Sequence, residues 1–144
     1  MHKQHSRHHI RHTENAGRTC HITWRLARTQ SPLTPGERTV VLEVMRRGQE
    51  FGCLFHAAAV MDDHVHALVT PGNAATSSRL LRAWKAASSH ALVKQFGRTA
   101  PLWQPEYYQR WIQQPGNIEI CAEYIHANPE RRWPGIEDYP WILP

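Results

Sequence analysis

From Cys20 the chain alternates. Cys20, Ile22, Trp24 and Leu26 are separated by His21, Thr23 and Arg25, the period of a strand with one buried face. The period then changes. Thr34-Pro35-Gly36-Glu37 has capping-box spacing with proline at the first helical position, and Val40, Val41, Val44 and Met45 follow on one face, which predicts a helix. Gly48 and Gly52 flank its end. Cys53 to Val60 and His64 to Thr70 then read as two strands joined at Met61-Asp62-Asp63, a hairpin. Pro71-Gly72-Asn73 breaks the chain before a second helix from about Ser77 to Phe96, closed by Gly97. Within it Leu80, Trp84, Ala87 and Ala91 fall on one arc, and Arg79, Arg82 and Lys85 on another. Pro101 to Pro105 reads as a loop and Glu106 to Ile112 as a fourth strand. Pro115-Gly116-Asn117 opens a third helix, with Ile118, Cys121, Ala122 and Ile125 on one arc and Asn128-Pro129 at its end. Glu130 to Pro144, rich in Trp, Pro and Arg, predicts packed but irregular chain.

The order strand, helix, strand, strand, helix, strand, helix predicts an α+β fold. It matches a ferredoxin-like split βαβ sandwich, with an antiparallel sheet and helices mainly on one face. A chain of 144 residues fits one such domain, here over residues 19–144. Residues 1–18 carry Lys3, Arg7, Arg11 and Arg18 with five histidines and almost nothing apolar except Ile10. Such a segment cannot offset its ordering entropy by burial, so a disordered basic leader is expected. This fold hosts many activities, and function has to be read from the site.

Charge narrows the partner. The 17 Lys plus Arg exceed the 12 Asp plus Glu, a formal +5, which favours a polyanion. Between His64 and Pro105 there is no acidic residue, while Arg79, Arg82, Lys85, Lys94 and Arg98 are present, the composition of a phosphate-backbone groove. No apolar stretch is long enough to span a bilayer and no signal peptide is visible, so a cytoplasmic protein without a membrane partner is expected, nucleoid-associated when on DNA. Cys20, Cys53 and Cys121 lack CxxC spacing and read as small reduced hydrophobes.

His64 and His66 sit two apart on a strand and so present two imidazoles to one side, with Val65 turned into the core. Among 11 histidines such a pair decides nothing by itself, and two solvated imidazoles is the plainer account. Tyr124 and Asn128 are four apart, which on a helix brings a phenol and an amide together beside the apolar arc. A phenol near a metal can attack phosphorus, and an amide oxygen suits Mg²⁺ or Mn²⁺. Trp103, Tyr107, Tyr108, Trp111, Trp133 and Trp141 are either core or platforms for unpaired bases.

Four segments in order, MDDHVHALVTP, SSRLLRAWKAASSHAL, LWQPEYYQRWI and EYIHANPERR, resemble the successive signatures of single-tyrosine HUH transposases. The similarity runs from about His21 to Arg132 and is strongest to the REP-associated tyrosine transposases and the transposases of short insertion sequences. It implies an HUH endonuclease fold in which His64 and His66 are the metal-binding pair, Asn128 the third ligand and Tyr124 the nucleophile. It also implies metal-dependent nicking and joining of single-stranded or hairpin DNA through a 5′-phosphotyrosine, as in DNA transposition, by a monomer or homodimer. Asp62-Asp63 departs from the Pro-Asn more usual there. Two other readings compete. A catalytically silent single-stranded nucleic-acid-binding module would not need His64, His66, Tyr124 and Asn128 together, and a small zinc hydrolase lacks a fourth ligand and a Glu base.

Overall fold

The computed structural model of the chain describes residues 17–72 and 76–144. The expected leader lies outside these residues except for Gly17 and Arg18, and so does Asn73. The elements are β1 (Cys20–Leu26), α1 (Pro35–Arg46), β2 (Leu54–Val60), β3 (His64–Thr70) and α2 (Ser77–Phe96). They continue with β4 (Trp103–Trp111), α3 (Gly116–His126), the short α4 (Asn128–Arg132) and β5 (Ile142–Leu143). A 3₁₀ turn, Arg47–Phe51, links α1 to β2. The strands form one sheet in the order β4-β1-β3-β2-β5, and every neighbouring pair is antiparallel, an α+β architecture.

Local chemistry accounts for the boundaries. The Thr34 side chain accepts from the Glu37 N–H while the Glu37 carboxylate accepts from the Thr34 N–H, closing the start of α1 as a capping box. Gly97 ends α2 in the left-handed conformation at φ +70°, where a side chain would be strained. β4 begins at Trp103, earlier than the sequence predicts, and tolerates Pro105 because it is an edge strand paired only with β1.

The sheet separates two cores. On one face Cys20, Ile22, Trp24 and Leu26 of β1 join Val65, Ala67 and Val69 of β3 beneath α1 and α2. Trp24 stacks on Trp84 of α2 at a ring distance of 6.0 Å. The buried stripe of α2 runs Ser77, Leu80, Leu81, Trp84, Ser88 and Leu92, so Ala87, expected on the apolar arc, is exposed. A serine is tolerated there because Ser88 Oγ donates to the Trp84 carbonyl and accepts from Trp103 Nε1.

On the other face α3 lays Cys121 and Ile125 against Ala57, Ala59, Met61 and Leu68. The two longest helices share a face as expected, and α3 crosses to the opposite one. The small Ala57 and Ala59 let it come close to β2. The C-terminal tail is less irregular than predicted. β5 pairs with β2 through Ala58 and Ala59, and the Tyr139 hydroxyl donates to the Val60 carbonyl at 2.5 Å.

Arg98 departs from its expected place on DNA. Its Nε and Nη2 donate to the two carboxylate oxygens of Glu37 at 2.6 Å each, and Nη1 and Nη2 reach the carbonyls of Ser31 and Pro32. Both charged side chains are nearly buried, so this fork joins the end of α2 to the start of α1. Removing one member of a buried pair strands the other charge. Arg98→Ala is therefore expected to cost about 3 kcal/mol and to lower the melting temperature by roughly 10 °C. A calorimetric melt within about 2 °C of the parent would show the pair to be energetically idle.

Candidate functional site

The register of the sheet builds the site row by row on the face that α3 covers. His64 on β3 stands opposite Arg25 on β1, His66 opposite Thr23, and Leu68 opposite His21. On the other side of β1, Thr23 pairs with Tyr108 of β4 and His21 with Arg110. These side chains except Leu68, with Asn117, Ile120, Cys121 and Tyr124 from α3 and Asn128 from α4, line one cavity of about 1090 Å³. The structure thus brings together His64, His66, Tyr124 and Asn128. His64 and His66 meet edge to face at 4.9 Å between ring centres, and Tyr124 meets His66 edge to face at 6.1 Å. Tyr124 is half exposed, and the Arg131 guanidinium lies 4.3 Å over its ring while donating to its backbone carbonyl at 2.7 Å. The spacing of four between Tyr124 and Asn128 crosses a junction at Ala127, because α3 ends at His126 and α4 restarts with Pro129 in its first turn.

Both imidazoles have their Nδ1 held from behind. His64 Nδ1 is 2.6 Å from Asp63 Oδ1, and His66 Nδ1 is 3.0 Å from both His21 Nε2 and Thr23 Oγ1. Among the described residues no hydrogen bond uses Nε2 of either ring. A carboxylate or hydroxyl behind a ligating histidine is the usual means of fixing its tautomer and orientation. The departure at Asp62-Asp63 now has a physical account. Asp63 orients His64, and Asp62 binds Arg132 at 2.9 Å, anchoring the helix that carries Asn128.

The donor set fits a hard divalent ion bound by two imidazoles and an amide. Asn128 Nδ2 is buried without a hydrogen-bond partner, an orphan that a reversed amide would replace with an oxygen facing a cation. Among the described residues no three His, Cys, Asp or Glu side chains converge to hold a metal.

Burial holds His66 neutral, lowering its pKa to about 2, with His64, His21, Arg25 and Arg131 adding to the effect. It lowers His21 to about 4, aided by Arg110. Neutral rings can bind a cation without first releasing a proton. They also make stability pH-dependent. Unfolded histidine titrates near 6.5, so the stability held by these neutral rings is complete above that pH. It is lost as pH falls from 6.5 toward 4, and for His66 toward 2, because the unfolded chain takes up protons that the folded one refuses. Urea unfolding should weaken by roughly 2 to 3 kcal/mol per pH unit below about pH 6 in metal-free buffer, and a flat profile to about pH 4.5 would mean both rings are solvated.

The expected phosphate-binding residues are divided. Arg79, Arg82 and Lys94 are exposed on α2, which lies on the sheet face opposite the imidazole pair. Lys85 is half-buried and donates to the Gln104 carbonyl at 2.8 Å, and burial keeps its pKa below the usual lysine value against the opposing pull of Glu106. Arg98 belongs to the fold. Sequence reading missed Arg25, Arg110, Arg131 and His21. The alternation that put His21, Thr23 and Arg25 on one face was visible, but their neighbours on β3 and β4 follow only from register. Most of the aromatics are core: Trp103 and Trp111 are buried, Tyr107 and Trp141 pack on the first core and Trp133 on the second. All three cysteines are free and buried. Among the described residues no helix is long and apolar enough to cross a membrane.

Solved transposases share this fold. A REP-associated tyrosine transposase solved with a REP hairpin is similar at a TM-score of 0.69 and 22% identity, over 90% of this chain and 74% of that one. A Deinococcus radiodurans R1 protein described as a transposase is similar at a TM-score of 0.55 and 20% identity, over 85% of this chain and 95% of that one. No curated protein matches the sequence. The model of the IS200-like transposase family matches residues 16–128, and the chain belongs to that family. That family is one of single-tyrosine transposases.

Proposed function

We propose that the chain nicks single-stranded DNA and rejoins it through a covalent 5′-phosphotyrosine on Tyr124, as an HUH endonuclease. The observation that carries this reading is the meeting of Tyr124 and His66 at 6.1 Å within a single chain, in a cavity shared with His64 and Asn128. His64, His66 and Asn128 would hold Mg²⁺ or Mn²⁺, which when bound draws charge from the scissile phosphate oxygens.

Tyr124 loses its phenolic proton and its oxygen attacks phosphorus. The bond to the 3′ oxygen breaks, and that oxygen takes up a proton to leave a free 3′-OH. One phosphodiester has been exchanged for another, so a second strand's 3′-OH can reverse the step and no nucleoside triphosphate is consumed. Arg131 over the ring and through the Tyr124 carbonyl would keep the phenol beside the pair. Arg25, next to His64 in register, is suited to the same phosphate.

The similar REP-associated transposase was solved with a hairpin, which supports hairpin DNA as the substrate here. Incubation of the wild-type chain with labelled hairpin oligonucleotides and Mn²⁺ should give a denaturant-resistant adduct. The adduct should carry the fragment 3′ of the break, joined through its 5′ phosphate. Binding without any adduct would leave a silent binding module on the same fold.

Exposed Arg79 and Arg82 are proposed to contact the backbone, with Lys94 further along α2. Arg79→Glu with Arg82→Glu should weaken binding to all sequences and reduce the slope of log affinity against log salt by about 1.4 if each releases one single-strand counterion. An unchanged slope would put the DNA elsewhere.

A further inference from the structure

The cavity extends beyond what the reacting groups fill. The row His66, Thr23, Tyr108 crosses three strands, and adjacent strands lie about 4.8 Å apart, so Tyr108 stands roughly 10 Å from His66. It stands one strand further from the imidazole pair than Thr23 and is suited to the nucleotide beside the scissile phosphate. Successive residues on β4 point to opposite faces. Both tyrosines border the cavity, but Tyr107 packs against the first core, where burial raises its phenol pKa, and Tyr108 continues the row of His66 and Thr23.

Two further features converge there. Arg110, exposed, lies two residues on and on the same side as Tyr108. Across the cavity α3 offers Ile120, one turn before Tyr124 and 65% exposed. A lone exposed isoleucine needs no explanation, but this one shares a cavity with an aromatic ring and a cation. β4 is the last strand of the sheet among the described residues, so this end is not walled by another strand. On the opposite face of the sheet Arg82 of α2 is close enough to the same strand to influence the Tyr107 phenol.

We infer that Tyr108, Ile120 and Arg110 form a subsite for the unpaired nucleotide adjacent to the scissile phosphate. The base lies between the Tyr108 ring and Ile120, its phosphate meets Arg110, and the strand leaves over the β4 edge toward Arg82. The subsite selects single-stranded DNA, since a base inside a duplex has both faces stacked already. It rests on the reading that single-stranded DNA reaches Tyr124. It also reconciles a basic helix on one face of the sheet with a reaction centre on the other.

The test uses the full chain carrying Tyr124→Phe and a randomised single-stranded pool about 16 nucleotides long. Tyr108→Leu should weaken binding by about fivefold to a hundredfold, while Tyr108→Phe, which keeps the ring, should stay within about twofold. Neither change should alter binding to duplex. In the unsubstituted chain, 5-iodouracil in the pool should photocross-link to Tyr108, a readout independent of how the variants fold. The inference is overturned if the pool does not bind, if Tyr108→Leu binds as the parent does, if phenylalanine is as harmful as leucine, or if the cross-link maps elsewhere. The two readings fail separately. An adduct on Tyr124 with a neutral Tyr108→Leu removes only the subsite, and a ring-dependent pool affinity without any adduct removes only the nicking chemistry.

Discussion

Tyr124→Phe should bind DNA as the parent does and should not cut it. The substitution removes one oxygen from a half-exposed ring, and neither the Arg131 guanidinium over its face nor the hydrogen bond to its carbonyl uses that oxygen. Folding should be unchanged. Loss of a covalent nucleophile typically costs at least about 10⁴-fold in rate. Gel analysis under denaturing conditions should show neither product nor adduct, and mass spectrometry of the wild-type adduct should place the link on the peptide containing Tyr124. An adduct on the peptide with Tyr107 and Tyr108 would keep the reaction and move the nucleophile. Cutting by Tyr124→Phe without an adduct would make water the attacking group and sink the tyrosine mechanism.

Removal of an imidazole is expected to have the next largest effect, and the two rings differ in what else they do. His64 leans on the exposed carboxylate of Asp63, so His64→Ala should fold normally while losing about a thousandfold in cutting, the rate equivalent of roughly 4 kcal/mol of charge stabilisation. His66 is buried between His21 and Thr23. His66→Ala would leave both without their partner around a new cavity, so it should also destabilise the fold by about 2 to 4 kcal/mol. His66 is thus harder to remove cleanly than His64, whose ring leans only on Asp63 among the described hydrogen bonds. Mn²⁺ binding followed by calorimetry separates metal loss from unfolding. His64→Ala protein that melts normally, binds Mn²⁺ as tightly as the parent and cuts at the parent rate would disprove the assignment of this pair as ligands.

Much of the fold could be read locally, because its signals are local. Alternation through Cys20 to Leu26, the Thr34 capping box and the Gly97 stop each depend on a few neighbouring residues, and each appears where expected. The spacing of His64 and His66 likewise guarantees a shared face once the strand forms. Other features depended on what the segments met. Ser88 is buried because Trp103 supplies its partner, and Arg98 is withdrawn from solvent because Glu37 lies 61 residues away in sequence and 2.6 Å away in space.

By itself the sequence determined the elements up to the third long helix, their order and a set of residues able to do phosphoryl chemistry, since periodicity, capping and side-chain type are properties of short stretches. Only the tertiary structure decided which face each helix covers. Ala57, Ala59 and Leu68 drew α3 across the sheet, and with it came Tyr124. The same packing put His21 and Thr23 behind His66, gathered Arg25, Tyr108 and Arg110 into its cavity, and left the basic helix on the far side. Pairing register and the choice of face are settled by complementary surfaces from distant parts of the chain, and no local window contains them.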